Sequence, residues 1–293
     1  MQYIFLVNRF SLKKRTNSIV EKIDNVAKEM KLDYVTEVNS DFLSTEDIIK
    51  KYKNKEATII VLGGDGTINR ALNAIIGSKA ILGYIPCGTG NDFYRTNKEL
   101  LKDGINEIDL VKINDKYFIN VTCFGIDADI GNSDNIVHSS IIPKSQRYNA
   151  AIVKHFFKYK PRHMKVFANN KKYESDYTTI TICNGKYYGK GFKMAPKATL
   201  DDGLIDAYLI NKMNKISMAK LILGLKKKNP KHENNKNVTV IRTKKLKIVC
   251  DKEITCNMDG DMLTAKEFDL KVIPKGIKIY YDESLINKIK EGI

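Results

Sequence analysis

The chain has 293 residues, 43% of them hydrophobic, and 50 Lys and Arg against 34 Asp and Glu give it a net charge of +16. That length suits two domains with sizeable cores, and no stretch approaches the roughly 20 apolar residues of a membrane-spanning helix. Five cysteines (Cys87, Cys123, Cys183, Cys250, Cys256) form no C-x-x-C pair and four histidines (His138, His155, His163, His232) show no ligand spacing, so neither a zinc site nor a disulfide framework is indicated.

Tyr3–Val7 predicts a first strand, followed by the loop Asn8-Arg9-Phe10-Ser11. Ile19, Ile23, Val26 and Met30 then recur at helical spacing, and Asp33–Val38 alternates like a strand. Ser44, with Asp47 three residues on, marks a helix start, where a side-chain oxygen caps exposed N–H groups. The β-branched run Thr58–Leu62 ends in Gly63-Gly64-Asp65-Gly66-Thr67, and Ile68, Leu72, Ile75 and Ile76 follow at helical spacing up to Gly77. After the strand Ala80–Ile85 comes a second glycine-rich turn, Pro86-Cys87-Gly88-Thr89-Gly90-Asn91-Asp92-Phe93. Strands alternating with helices predict a doubly wound parallel sheet covered on both faces. Its ligands bind beyond the carboxyl ends of the strands, where the loops at Asn8, Gly63 and Pro86 gather.

The first glycine-rich turn reads as a nucleotide phosphate site. Glycines let phosphates approach the main chain, and the free N–H groups that open a helix favour an anion. Asp65 lies too close to that anion to be a phosphate ligand, so it holds a metal ion or orders the loop. A tight strand-to-helix turn is the bland alternative, since Asp-Gly is a common turn pair. In the second turn Thr89 and Asn91 can bind phosphate or ribose oxygens, and Asp92 can cap the next helix. Two such turns on one sheet edge favour the nucleotide.

From about Glu107 the pattern changes. Ile108–Ile113, Lys116–Thr122, Lys165–Phe167, Tyr177–Cys183, Ile205–Ile210, Val238–Ile241, Leu246–Cys250 and Glu253–Asn257 are short runs, with turns such as Asn114-Asp115 and Asp259-Gly260 between them. They predict an antiparallel β-sandwich interrupted by one helix, about Gln146–Lys158, whose stripe is Tyr148, Ile152, Val153, Phe156 and Phe157. The tail is a strand, Ile277–Tyr281, and a helix, Leu285–Ile293. The expected division is 1–120 for the α/β domain and 121–276 for the sandwich, with 277–293 returning to the first.

The positive charge is densest from Lys226-Lys227-Lys228 through Lys231, Lys236, Arg242, Lys244, Lys245 and Lys247. It contains no aromatic residue of the kind that stacks bases. An anionic membrane surface is therefore favoured over nucleic acid, with plain solvation as the rival. The start, Met1–Asn8, is too short for a signal peptide and has no basic leader, so the expected place is a reducing cytoplasm.

With both turns in hand, the chain resembles the diacylglycerol kinase catalytic-domain family, specifically the stand-alone bacterial lipid kinases. The further stretches that carry the likeness are Phe118-Ile119-Asn120-Val121, Gly125-Ile126-Asp127-Ala128, Asn184 to Gly191, Asp201-Asp202-Gly203-Leu204 and Asp259-Gly260-Asp261. The resemblance implies an NAD-kinase-like α/β domain joined to a β-sandwich, with the active site in the cleft between them. It implies ATP and Mg2+, the nucleotide meeting Asn8, Gly63, Gly64, Asp65, Gly66, Thr67, Asn69 and Thr89. A second, structural magnesium is implied on the loop of Thr199, Asp202 and Leu204. The family's general base is a Glu after Asp-Gly, and here that position is Asp261, one methylene shorter.

The expected function is transfer of the γ-phosphate of ATP to a hydroxyl of diacylglycerol or a similar lipid, giving phosphatidic acid or its analogue. The enzyme would work peripherally on an anionic membrane, and a homodimer is allowed for. One rival is an NAD kinase, which shares Gly-Gly-Asp-Gly. The other is a non-catalytic nucleotide- or lipid-binding regulator that has lost the base. Glu253 and Asp259 are nearby alternatives to Asp261.

Overall fold

The structure, a computed structural model, describes residues 1–125 and 160–291. The helix expected at Gln146–Lys158 and the end of the Gly125–Ala128 stretch lie outside the described residues.

Strands β1 (Gln2–Val7), β2 (Tyr34–Val38), β3 (Ala57–Gly63) and β4 (Ile81–Pro86) are parallel, in the order β4-β3-β1-β2. Side chains alternate across a strand, so Ile4 and Leu6 enter one core with Ile48, Ile68 and Leu72. Phe5 and Val7 enter the other with Ile19 and Ile23. Burial on both faces is why these strands read as unbroken apolar runs. Helix α2 (Thr16–Glu29) covers one face, while α3 (Thr45–Tyr52) and α4 (Asp65–Ile75) cover the other. Ser44 caps α3 as expected, accepting the Asp47 N–H at 3.1 Å. The predicted loop after β1 instead makes one turn of helix, α1 (Arg9–Leu12), because the Asn8 carboxamide accepts the Phe10 and Ser11 N–H groups.

After α5 (Asp92–Leu100) the chain becomes antiparallel through β5 (Gly104–Ile113), β6 (Lys116–Phe118), β7 (Val121–Gly125), β8 (Arg162–Ala168) and β9 (Lys171–Cys183). A short hairpin of β10 (Tyr187–Tyr188) and β11 (Phe192–Lys193) follows, then β12 (Ile205–Asn211), β13 (Val238–Thr243) and β14 (Lys245–Met258). Phe118, Phe124, Ile180, Ile248 and Phe268 are buried in the sandwich core, where the Phe124 and Phe268 rings meet edge to face at 4.9 Å. Truncating either ring would cost about 3–5 kcal/mol.

Several elements differ from expectation. The single strand read over Lys116–Thr122 is split at Ile119-Asn120, whose N–H groups turn to the Asp259 carboxylate. Leu246–Cys250 and Glu253–Asn257 form one strand, β14, with shifted register between Val249 and Ile254. Strand β15 runs from Asp261 to Tyr281, pairing antiparallel with β14 and β5 and, at Ile279 and Tyr280, parallel with β4. Pro274-Lys275-Gly276 hides that continuity in the sequence; it coincides with a register shift against β5. Helix α6 (Lys215–Leu225), capped by Asn214, has no counterpart among the expected elements. The tail helix is α7 (Glu283–Lys290), whose Leu285, Ile286 and Ile289 share a core with Ile19 and Ile23 of α2.

Candidate active site

A cleft of about 640 Å³ opens at the carboxyl ends of β3 and β4. Its walls come from both glycine-rich turns, the chain after β1, the β10–β11 hairpin and the turn between β14 and β15. The turns can meet because they lack side chains. A Cβ on Gly88 would stand 2.6 Å from the Gly64 Cα, and one on Gly260 would stand 3.1 Å from the Gly66 Cα.

Of the residues expected to meet a nucleotide, Gly64, Asp65, Gly66 and Thr89 line the cleft. The others stand behind it. The buried Asn8 donates from Nδ2 to Thr67 Oγ1 at 2.7 Å, so both side chains serve each other. Asn69 donates to the Met258 carbonyl at 2.8 Å, pinning α4 to the end of β14. The Gly63 carbonyl accepts the Cys87 N–H at 2.8 Å and the Tyr84 hydroxyl at 3.1 Å.

The carboxylates organise the cleft. Asp65 accepts the Asp92 and Phe93 N–H groups, both at 3.2 Å, and so caps α5 from a distance of 27 residues in the chain. Asp92, expected to be the cap, instead accepts the Lys190 and Gly191 N–H groups at 2.8 and 2.7 Å, which anchors the hairpin against α5. Asn91 occupies the cap position in a left-handed conformation, and its amide is spent on the Gly88 backbone at 3.0 and 2.8 Å. Burial raises the Asp65 carboxyl above its ordinary value. Burial, and then the neighbouring Asp65, push Asp92 up to about 6. Lys13, Arg15 and Lys190 supply positive charge along the same walls; no sequence signal marked the first two.

Two carboxylates buried in one cleft, the first raising the second, suit a hard dication, which takes one or two carboxylates and completes its shell with substrate phosphates. The loop of Thr199, Asp202 and Leu204 suits one poorly. There the Asp202 carboxylate already meets the Arg242 guanidinium and the Leu204 N–H, while Arg242 Nε reaches Asp206 at 2.9 Å. A guanidinium thus neutralises the carboxylate that the resemblance gives to magnesium.

Asp259 lines the cleft, and its buried carboxylate accepts three N–H groups, from Ile119 at 2.9 Å, Asn120 at 3.0 Å and Val121 at 2.7 Å. Burial pushes its carboxyl from the ordinary 3.8 to about 7. Between those values the native protein keeps a proton that the unfolded chain releases, so this contribution is full below 3.8 and is lost as pH rises through about 7. The stability difference between wild type and Asp259→Asn, read by urea unfolding, should shrink over that window. A difference flat with pH would show that Asp259 does not titrate there. Glu253 sits on an exposed part of β14 and does not line the cleft.

Asp261 follows the cleft-lining Gly260, but its own side chain turns outward. It pairs with Lys116 Nζ at 3.2 Å and accepts the Met262 N–H at 2.9 Å. The structure brings its backbone to the site and holds its carboxylate away from it.

A larger hollow, about 1220 Å³, lies elsewhere on the sandwich and shares no lining residue with the cleft. Lys112, Lys171, Lys244, Lys245 and Lys271 line it, with neither glycine-rich turn present. The basic run of the sequence is therefore divided: Arg242 to Lys247 face this hollow, while Lys226 to Lys228 follow α6.

Residues 2–116 match the model of the diacylglycerol kinase catalytic domain, and residues 120–281 match that of the YegS C-terminal NAD kinase beta sandwich-like domain. A protein of Yersinia enterocolitica named "Probable lipid kinase YegS-like" is 29% identical over 78% of this chain and 82% of its own. One of Klebsiella pneumoniae with the same name is 28% identical over 75% and 76%. The crystal structure of a diacylglycerol kinase of Bacillus anthracis superposes with a TM-score of 0.73, covering 97% of this chain and 98% of that one at 19% identity, which is a likeness of fold. Matched nearly end to end by two adjoining models, the chain belongs to the diacylglycerol kinase catalytic-domain family, in the form that carries a YegS-type sandwich.

Proposed function

We propose that this protein is an ATP-dependent lipid kinase acting on diacylglycerol or a similar lipid. One observation carries the reading: two glycine-rich turns, a pair of buried carboxylates and three basic side chains converge on a cleft walled by both halves of the chain. Names given to the relatives support a lipid as acceptor.

The N–H groups opening α4, with Gly64, Gly66 and Thr89, would hold the phosphates. Lys13, Arg15 and Lys190 would neutralise their charge. Asp65 and Asp92 are the residues that would hold magnesium, which supplies charge neutralisation on the transferring phosphoryl group when bound. The lipid hydroxyl oxygen forms a bond to the γ-phosphorus, the bond from that phosphorus to the bridging β–γ oxygen breaks, and the hydroxyl proton passes to Asp261. For that, Asp261 must leave Lys116 and swing toward the cleft beside Gly260. The outward carboxylate also favours a second reading, a regulator of this fold without catalysis.

Transfer of labelled phosphate from ATP to a panel of diacylglycerol, a sphingoid base and phosphatidylglycerol separates the two. Asp261→Asn keeps the shape and removes proton acceptance, so it should cut transfer on the order of 100-fold with nucleotide affinity nearly unchanged. Asp261→Glu should retain or raise activity. A wild type silent on every lipid and awakened by Asp261→Glu would mean a degraded kinase and overturn the catalytic reading; full activity in Asp261→Asn would remove Asp261 from the mechanism.

A further inference from the structure

Helix α6 is apolar on nearly every side, yet the fold buries only one of them. Met218, Leu221 and Leu225 enter a core with Phe192, Met194 and Tyr208. On the opposite side Ile216 is 72% exposed and Leu223 is 68% exposed. At helical spacing these two flank Lys220 on one face, and Lys226-Lys227-Lys228 follow the helix end, all exposed. A helix that shows large aliphatic side chains to solvent within a collar of lysines has the composition of an interfacial helix. Its apolar groups suit the acyl boundary, and its lysines can extend their charged ends to anionic headgroups.

The position of α6 gives this surface a use. Lys226 Nζ lies 5.0 Å from the centre of the Phe192 ring, and that ring packs beside Tyr188 at 6.1 Å. Tyr188 and Val121 both line the cleft, and both pack with the core that anchors α6. The buried face of α6 and the lysine at its end are therefore joined to the cleft wall through Phe192 and Tyr188. Among the described residues no helix is long and apolar enough to cross a membrane.

We infer that α6 is a membrane-docking element, laying Ile216 and Leu223 into an anionic bilayer surface beside the cleft. The docking stands on the helix itself; its consequence, delivery of the acceptor, rests on the lipid-kinase reading. The full chain is sedimented with vesicles of phosphatidylcholine alone and of phosphatidylcholine with phosphatidylglycerol. The double variant Ile216→Asn, Leu223→Asn should bind the anionic vesicles at least about tenfold more weakly than wild type. Lys220→Gln, Lys227→Gln and Lys228→Gln together should remove the preference for anionic over neutral vesicles, and rising salt should mimic them. All the substituted residues are exposed, so the melting temperature should not move.

Transfer to a short-chain, water-soluble diacylglycerol should survive in the double variant while transfer to long-chain diacylglycerol in vesicles falls. Wild type that fails to bind anionic vesicles, or a double variant that binds them as wild type does, overturns the inference. A wild-type dimer that the double variant dissociates, without vesicle binding, would overturn it in favour of a contact between copies. Vesicle binding that depends on α6 in a protein inactive on both substrates would sustain docking and sink the kinase reading.

Discussion

Asp65→Asn is expected to cut phosphoryl transfer by on the order of 10²- to 10³-fold while the protein stays folded. The wild-type carboxylate accepts two N–H groups at 3.2 Å and stands in the cleft with Asp92 as the second carboxylate. An amide offers one acceptor, and its own N–H groups face the donors of α5. Helix capping should weaken by about 0.5–2 kcal/mol, visible as a lower melting temperature with a cooperative transition. The larger loss is charge, because a neutral amide is a poor ligand for a hard dication. Calorimetry should show the benefit of magnesium to nucleotide binding disappearing. Wild-type turnover by a folded Asp65→Asn protein would end this assignment.

Gly88→Ala should weaken nucleotide binding on the order of 100-fold, an effect of position rather than chemistry. The new Cβ would stand 2.6 Å from the Gly64 Cα and 3.1 Å from Asn91 Oδ1. Backbone cannot swing aside as a flexible side chain can, so the two turns must separate. Overpacking of this kind costs about 1–3 kcal/mol, and the phosphate-facing N–H groups move with the loops. Gly224→Ala in α6 is the control. Nothing lies within 4 Å of a Cβ there, so the variant should gain about 0.5–1 kcal/mol from lost unfolded-state freedom and bind nucleotide normally. Equal binding by wild type and Gly88→Ala would show that the close approach of the turns is not needed for the site.

The sequence by itself determined the parallel sheet, the two glycine-rich turns and the sandwich that follows, because each leaves a local trace. Strands buried on both faces write continuous apolar runs, helices write a period, and a turn that must approach another backbone writes glycine. Family membership was legible in the same stretches, which lie in order along the whole chain. What each polar side chain does was decided only in three dimensions. Asn69 finds its acceptor 189 residues away at Met258, and Asp259 finds its donors 138 to 140 residues away. Asn8 and Thr67, both expected at the nucleotide, bond to one another, and neither lines the cleft. Asp65 takes the capping role that the local sequence suggests for Asp92, while Asp92 anchors a hairpin, since the donors that reach them come from α5 and from the β10–β11 hairpin. The continuity of β15 and the exposed face of α6 were likewise tertiary facts. A strand is completed by its partners, and an apolar residue becomes a surface only when the rest of the fold declines to cover it.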